Sequence, residues 1–115
     1  MNTPGGFYLY KTLLDAAERT GAGEELLLVG DTVGGLEMVA IQLSGTFTAT
    51  VTFEATVDGV NWVAVRFTPL ATGTAATTAT AAGIYQANLK GCWKVRCNVT
   101  AYTDGAVTAK GRTVA

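Results

Sequence analysis

An all-β chain, folded as an antiparallel β-sandwich of the jelly-roll or immunoglobulin-like kind with six to eight short strands, is what this sequence predicts. Three observations carry that reading. Residues 46–57 alternate without a break, with Phe47, Ala49, Val51, Phe53, Ala55 and Val57 on one parity and Thr46, Thr48, Thr50, Thr52, Glu54 and Thr56 on the other. A period of two is the mark of a strand with one buried and one wet face. Trp93, Val95, Cys97, Val99 and Ala101 alternate in the same way with Lys94, Arg96, Asn98 and Thr100. Turn signals recur along the chain, and about one residue in six is threonine, which suits pleated, half-wet surfaces.

The elements follow in order. Lys11 to Arg19 has helical spacing in Leu13, Leu14, Ala16 and Ala17, but Gly21 and Gly23 cut it short, and an extended first strand is expected. Glu25 to Val29 is a short strand closing at Gly30. Leu36 to Leu43 is nearly continuous apolar sequence ending at Ser44-Gly45, and so reads as a central strand covered on both faces. Thr46 to Asp58, the Asp58-Gly59 turn and Val60 to Phe67 make a hairpin. Ala71 to Ala82, almost wholly Ala, Thr and Gly, is a long loop, and Gly83 and Gly91 bracket a strand at Ile84 to Leu89. Trp93 to Ala101, the Asp104-Gly105 turn and Ala106 to Val114 make a second hairpin, with Val107 and Ala109 facing inward. Residues 1–10 form an N-terminal arm, and 11–115 a single domain.

The 115 residues are 49% hydrophobic and 15% charged. A chain of this size buries roughly 65% of its unfolded surface, enough for one core without disulfides or metal. So little charge excludes disorder and suits a protein that buries surface in an assembly. No apolar run approaches a membrane span, no basic leader precedes an apolar stretch, and a net charge of −1 gives no nucleic-acid footprint. Residues 1–58 carry eight acids and two bases, and residues 59–115 one acid and six bases. Either the halves interleave and neutralise each other, or the acidic side of one copy meets the basic side of the next.

Chemistry is scarce. Histidine is absent, and Cys92 and Cys97, five apart, match no zinc spacing. Their odd separation sets them on opposite faces of one strand, so no bridge between them is expected. Cys97 falls on the apolar parity as a small buried hydrophobe. Ser44, the sole serine, has no imidazole to activate it. Glu37 and Glu54 offer a conceivable carboxylate pair but read as solvent-facing sheet residues. Asp31 and Gly34-Gly35 lack the lysine of a phosphate loop, and the sequon Asn98-Val99-Thr100 lies inside a strand. No catalytic, cofactor or metal residues are expected, and no enzyme.

Aromatic residues offer binding surface instead. Phe7, Tyr8 and Tyr10 cluster behind Pro4-Gly5-Gly6 and are the candidate partner-binding residues, either folded back on the sandwich or docked on a neighbouring subunit or a larger lattice. Trp62 and Trp93 are expected mainly in the core, with stacking on a sugar ring as the other use.

At Ser44-Gly45-Thr46-Phe47, Val51-Thr52-Phe53-Glu54 and Asp58-Gly59-Val60-Asn61-Trp62-Val63-Ala64 a more specific likeness emerges. Together with Ala82-Gly83-Ile84-Tyr85, Gly91 to Arg96, and Val99 through Thr108, it resembles small virion structural proteins of tailed bacteriophages over roughly residues 13–112. The resemblance implies a β-sandwich in a phage particle, synthesised in the host cytoplasm. It points to a capsid decoration (cement) protein bound to the major capsid protein or another virion protein, as a homo-oligomer with a trimer favoured. A tail, neck or baseplate component and a carbohydrate-binding host-attachment module are the alternatives. No nucleic acid or membrane partner is implied.

Overall fold

The structure, a computed structural model, describes residues 8–28 and 38–114, with side chains described for 10–28 and 38–113. Among them eleven strands and no helix occur: β1 (Tyr8–Ala17), β2 (Gly21–Ala22), β3 (Leu26–Leu27), β4 (Met38–Ser44), β5 (Phe47–Thr56), β6 (Val63–Ala64), β7 (Thr68–Pro69), β8 (Thr78–Ala79), β9 (Gly83–Asn88), β10 (Lys94–Gly105) and β11 (Val107–Val114). Six of these are long and five are two-residue pieces at sheet edges. One sheet runs β1-β11-β4-β9-β7; the other runs β2-β10-β5-β6, with β3 also on β10 and β8 also on β5. Every pairing is antiparallel, and the two layers form a β-sandwich.

The core is the sum of the inward parities. Val51, Phe53 and Ala55 of β5 and Val95, Cys97 and Val99 of β10 face Leu13 and Leu14 of β1, Val39, Ile41 and Leu43 of β4, and Val107 and Ala109 of β11, all buried. Phe53 stacks on Phe67 at 4.5 Å between centroids and lies 5.4 Å from Tyr85, so one aromatic cluster ties the layers together. The buried Tyr85 ring keeps its hydroxyl satisfied by donating to the Ala81 carbonyl at 2.6 Å. Along one lateral edge the backbone stitches the sheets directly. Gly23 N–H donates to Cys97 of one layer, and Glu24 N–H donates to Leu13 of the other.

The Lys11–Arg19 segment is a strand from Lys11 to Ala17, with Glu18 and Arg19 outside it, and its start reaches back to Tyr8. Residues 8–10, assigned by sequence to the arm, pair with Val114, Thr113 and Arg112 of β11, because the last strand continues far enough to receive them.

Other expectations are corrected. β10 and β11 are not a hairpin: β10 pairs with β5, and the chain changes layer at Gly105-Ala106. The turn signal is real, but the sheets on either side differ. Ser44-Gly45-Thr46 makes the same crossing between β4 and β5, and the two corners lie against each other through Ala106 N–H and the Thr46 carbonyl. The hairpin after Asp58 shrinks to Val63 and Ala64, since residues 57–62 form a loop and β7 then joins the other sheet. Val57 is therefore exposed and Thr56 buried. An extra residue between Val99 and Ala101 flips the parity, which leaves Ala101 exposed. β4 is central but covered on one face only, with Met38 and Gln42 exposed between buried Val39, Ile41 and Leu43. The Ala71–Ala82 loop carries β8 and a bridge from Phe67 to Ala76.

Candidate interaction surface

Two ends of the sandwich differ in character. The corners at Gly45 and Gly105 mark one end, where Glu18, Arg19, Thr20, Ser44, Thr46, Thr103 and Asp104 are exposed. At the other end lie the register row Tyr8, Val114, Met38, Asn88 of one sheet and the row Leu27, Lys94, Thr56 of the other. There Leu27, Met38, Val57, Val60, Val63 and Trp93 all expose apolar surface, with Val57 at 71% and Val60 at 78%. Exposed Leu70 and Ile84 lie toward the first end, beside Gln42, but the gathering of six large apolar side chains here makes this end the candidate interaction surface.

The loop that displays Val57 and Val60 is locally fixed. Asp58 Oδ1 accepts hydrogen bonds from the N–H groups of Val60 and Asn61, both 2.8 Å, and from the Thr56 hydroxyl at 3.1 Å. Its Oδ2 accepts from Asn61 Nδ2 at 2.8 Å, and the Thr56 hydroxyl oxygen accepts from Gly59 N–H. These bonds, the backbone and side chain of Asn61 first, hold the Asp58 carboxyl far below the usual carboxylate range. Trp93 N–H donates to the Thr56 carbonyl, and Gly59 packs on the Trp93 ring, where a Cβ would come within 2.5 Å of a ring carbon. A side chain presented this way loses little freedom on binding. Beside the loop is an apolar dimple of about 300 Å³, floored by Ala55, Val65 and Cys92 and rimmed by Val57, Asp58, Asn61 and Val63.

The outer face of the β5–β10 pair is polar and satisfied within itself. Arg96 Nε donates to Glu54 Oε1 at 2.8 Å, and its guanidinium sits 4.1 Å over the Trp62 ring. Asn98 donates to Glu54 Oε2, and the Thr52 and Thr100 hydroxyls meet at 3.0 Å. Glu54 is thus a structural acceptor, while Glu37 lies outside the described residues. Among the described residues the ion pairs Lys94–Glu25 and Arg96–Glu54 join an acid of the first half to a base of the second, so the halves do interleave. Neither tryptophan enters the core, correcting that expectation. Their strands end or bend there, and each ring carries a cation on one face, Lys94 Nζ standing 4.4 Å over Trp93.

Of the candidate partner-binding residues, Phe7 lies outside the described residues, Tyr8 is placed by its backbone in β1, and Tyr10 is exposed opposite Arg112. Sequence reading missed the apolar end. The pattern Asp58-Gly59-Val60-Asn61 was its only signal, and it was taken for a plain hairpin turn. Among the described residues no group of three or more Cys, Asp or Glu gathers as a metal site, and both cysteines are free. Burial pushes the Cys97 thiol up to about 12.

This architecture defines a two-layer antiparallel β-sandwich module with one apolar end. The chain belongs to the XepA family, whose model matches residues 9–113. Among solved structures it is similar to the SPBc2 prophage-derived protein YomS, with 22% identity and a TM-score of 0.83 over 100% of this chain and 99% of that one. It is also similar to the PBSX exported protein XepA, with 17% identity and a TM-score of 0.87. That match covers all of this chain but 40% of the PBSX protein. No curated protein matches significantly. The family and the prophage origin of these neighbours support a phage-related protein, in agreement with the resemblance carried by residues 13–112.

Proposed function

We propose that the chain is a non-enzymatic structural protein of a phage particle, a capsid decoration (cement) protein that seats its apolar end on the outer shell. The observation that carries this reading is the rigid display of Val57 and Val60 beside an apolar dimple, on a fold whose polar face is satisfied internally. Its partners are then the major capsid protein or another virion protein, and further copies of itself. Stabilisation of the shell arises by mass action, because the protein binds the assembled state and not its separated parts. The sugar-stacking alternative loses support from the cation over each tryptophan ring.

Quantitative mass spectrometry of purified particles tests the assignment. Hundreds of copies per particle support a shell role; a few dozen or fewer indicate a tail, neck or baseplate component. One observation favours a second reading: a structural neighbour is named as an exported protein. A protein acting after export accumulates in culture fluid and is absent from particles, so the same fractionation decides between the two.

A further inference from the structure

The dimple beside the Asp58 loop joins an apolar wall to a polar rim. Ala55, Val63, Val65 and Cys92 supply the wall, and Asp58 and Asn61 stand at the rim. Four hydrogen bonds fix the Asp58 carboxylate, three on Oδ1 and one on Oδ2, so Oδ2 keeps an open acceptor site. Asn61 commits its side-chain nitrogen to Asp58, which leaves its amide oxygen as a second acceptor. Among the described residues no ion pair joins Asp58 to a base, and the bases of β10 are engaged elsewhere, Lys94 on Glu25 and Arg96 on Glu54. A fixed, ionised carboxylate at the mouth of an apolar pocket is complementary to an alkyl stem that ends in a cation. The stem lies on the wall while the charged head stays at the wet rim.

We propose that the dimple is the acceptor for one basic side chain, a lysine or arginine, presented by a protein other than this chain. Its methylene stem rests against Val63, Val65 and Cys92, and its head donates to Asp58 Oδ2 and the Asn61 amide oxygen. The cavity of about 300 Å³ has room for such a stem. The local hydrogen bonds hold both acceptors in place before anything binds, so little order is lost on contact. The inference rests on the apolar end being the interaction surface and adds the chemistry of the contact. Its test uses the isolated protein, whereas the proposed function is read from purified particles, so the two fail separately.

Three probes with one stem and different heads decide it: n-pentylammonium, pentan-1-ol and pentanoate, each titrated into the protein and followed by amide chemical shifts. The ammonium is expected to shift Val63, Val65 and Cys92 saturably and to bind about fivefold more tightly than the alcohol, the scale of one exposed charge pair. Pentanoate is expected to bind most weakly. Asp58→Asn keeps an oxygen for the loop's hydrogen bonds and is expected to bring the ammonium level with the alcohol, whose own affinity stays unchanged. Equal affinity for the three heads on the parent protein overturns the proposal whether or not that variant folds. Shifts confined to other residues, or an ammonium preference that survives in folded Asp58→Asn, also overturn it. Self-association of the parent protein that Asp58→Asn abolishes in sedimentation equilibrium makes the occupant a second copy and overturns it as well.

Discussion

At Gly105 a methyl group would stand 2.1 Å from the Thr46 carbonyl oxygen and 2.6 Å from the Phe47 Cα, at a backbone φ of +85°. Gly45 meets the Ala106 carbonyl in the same way across the paired corner. Gly73 shares the positive φ but has open space around it. Gly105→Ala is therefore expected to cost about 3 kcal/mol and Gly73→Ala about 1 kcal/mol in urea unfolding. Equal costs would show that the corners need no close approach. Asp58 carries a pH effect whose direction follows from its lowered pKa. Its bonds contribute stability above the unfolded value of 3.8, and that contribution is lost as pH falls from there toward the folded value. The stability gap between the parent protein and Asp58→Ala is expected to hold at neutral pH and narrow in acid below 3.8. The buried Cys97 thiol, raised to about 12, is expected to escape iodoacetamide at pH 8 until the protein is unfolded, as read by mass spectrometry.

Among the elements, β5 and β10 form the pair most completely written in the sequence. Their inward residues Val51, Phe53, Ala55, Val95, Cys97 and Val99 were legible because the alternation on each strand is unbroken there. The legibility stops where a bulge intervenes, at Ala101, since one inserted residue reverses every later side chain. On the outer face, Arg96→Ala removes the partner of a largely buried Glu54 carboxylate and the cover of Trp62. It is expected to destabilise by about 2 kcal/mol, measured by chemical denaturation. Glu54→Gln keeps the acceptor and is expected to cost less. β1, at a sheet edge, breaks register after Thr12 and again after Leu14. Lys11 reaches Glu24 and the Glu25 carbonyl at the seam between the layers. Bulges and a charged residue directed toward the seam discourage sheet extension at this edge.

At the scale of the whole molecule, the aromatic cluster of Phe53, Phe67 and Tyr85 gathers side chains from both layers and the crossover between them. Phe53→Ala is expected to lose about 4 kcal/mol, a large share of a domain's total stability. Composition and alternation alone determined that this chain is a two-layer β fold, which strands bear the core, and that Cys97 is buried. These follow from local periodicity, which a short window within β5 or β10 displays. Only the tertiary structure decided that the glycine turns at 45 and 105 change layers, that Glu54 is bound by Arg96 and Asn98, and that exposed valines collect at one end. A turn dipeptide specifies a reversal of direction but not the sheet that receives the next strand. The receiving sheet is chosen by contacts between residues dozens of positions apart, as between Thr46 and Ala106.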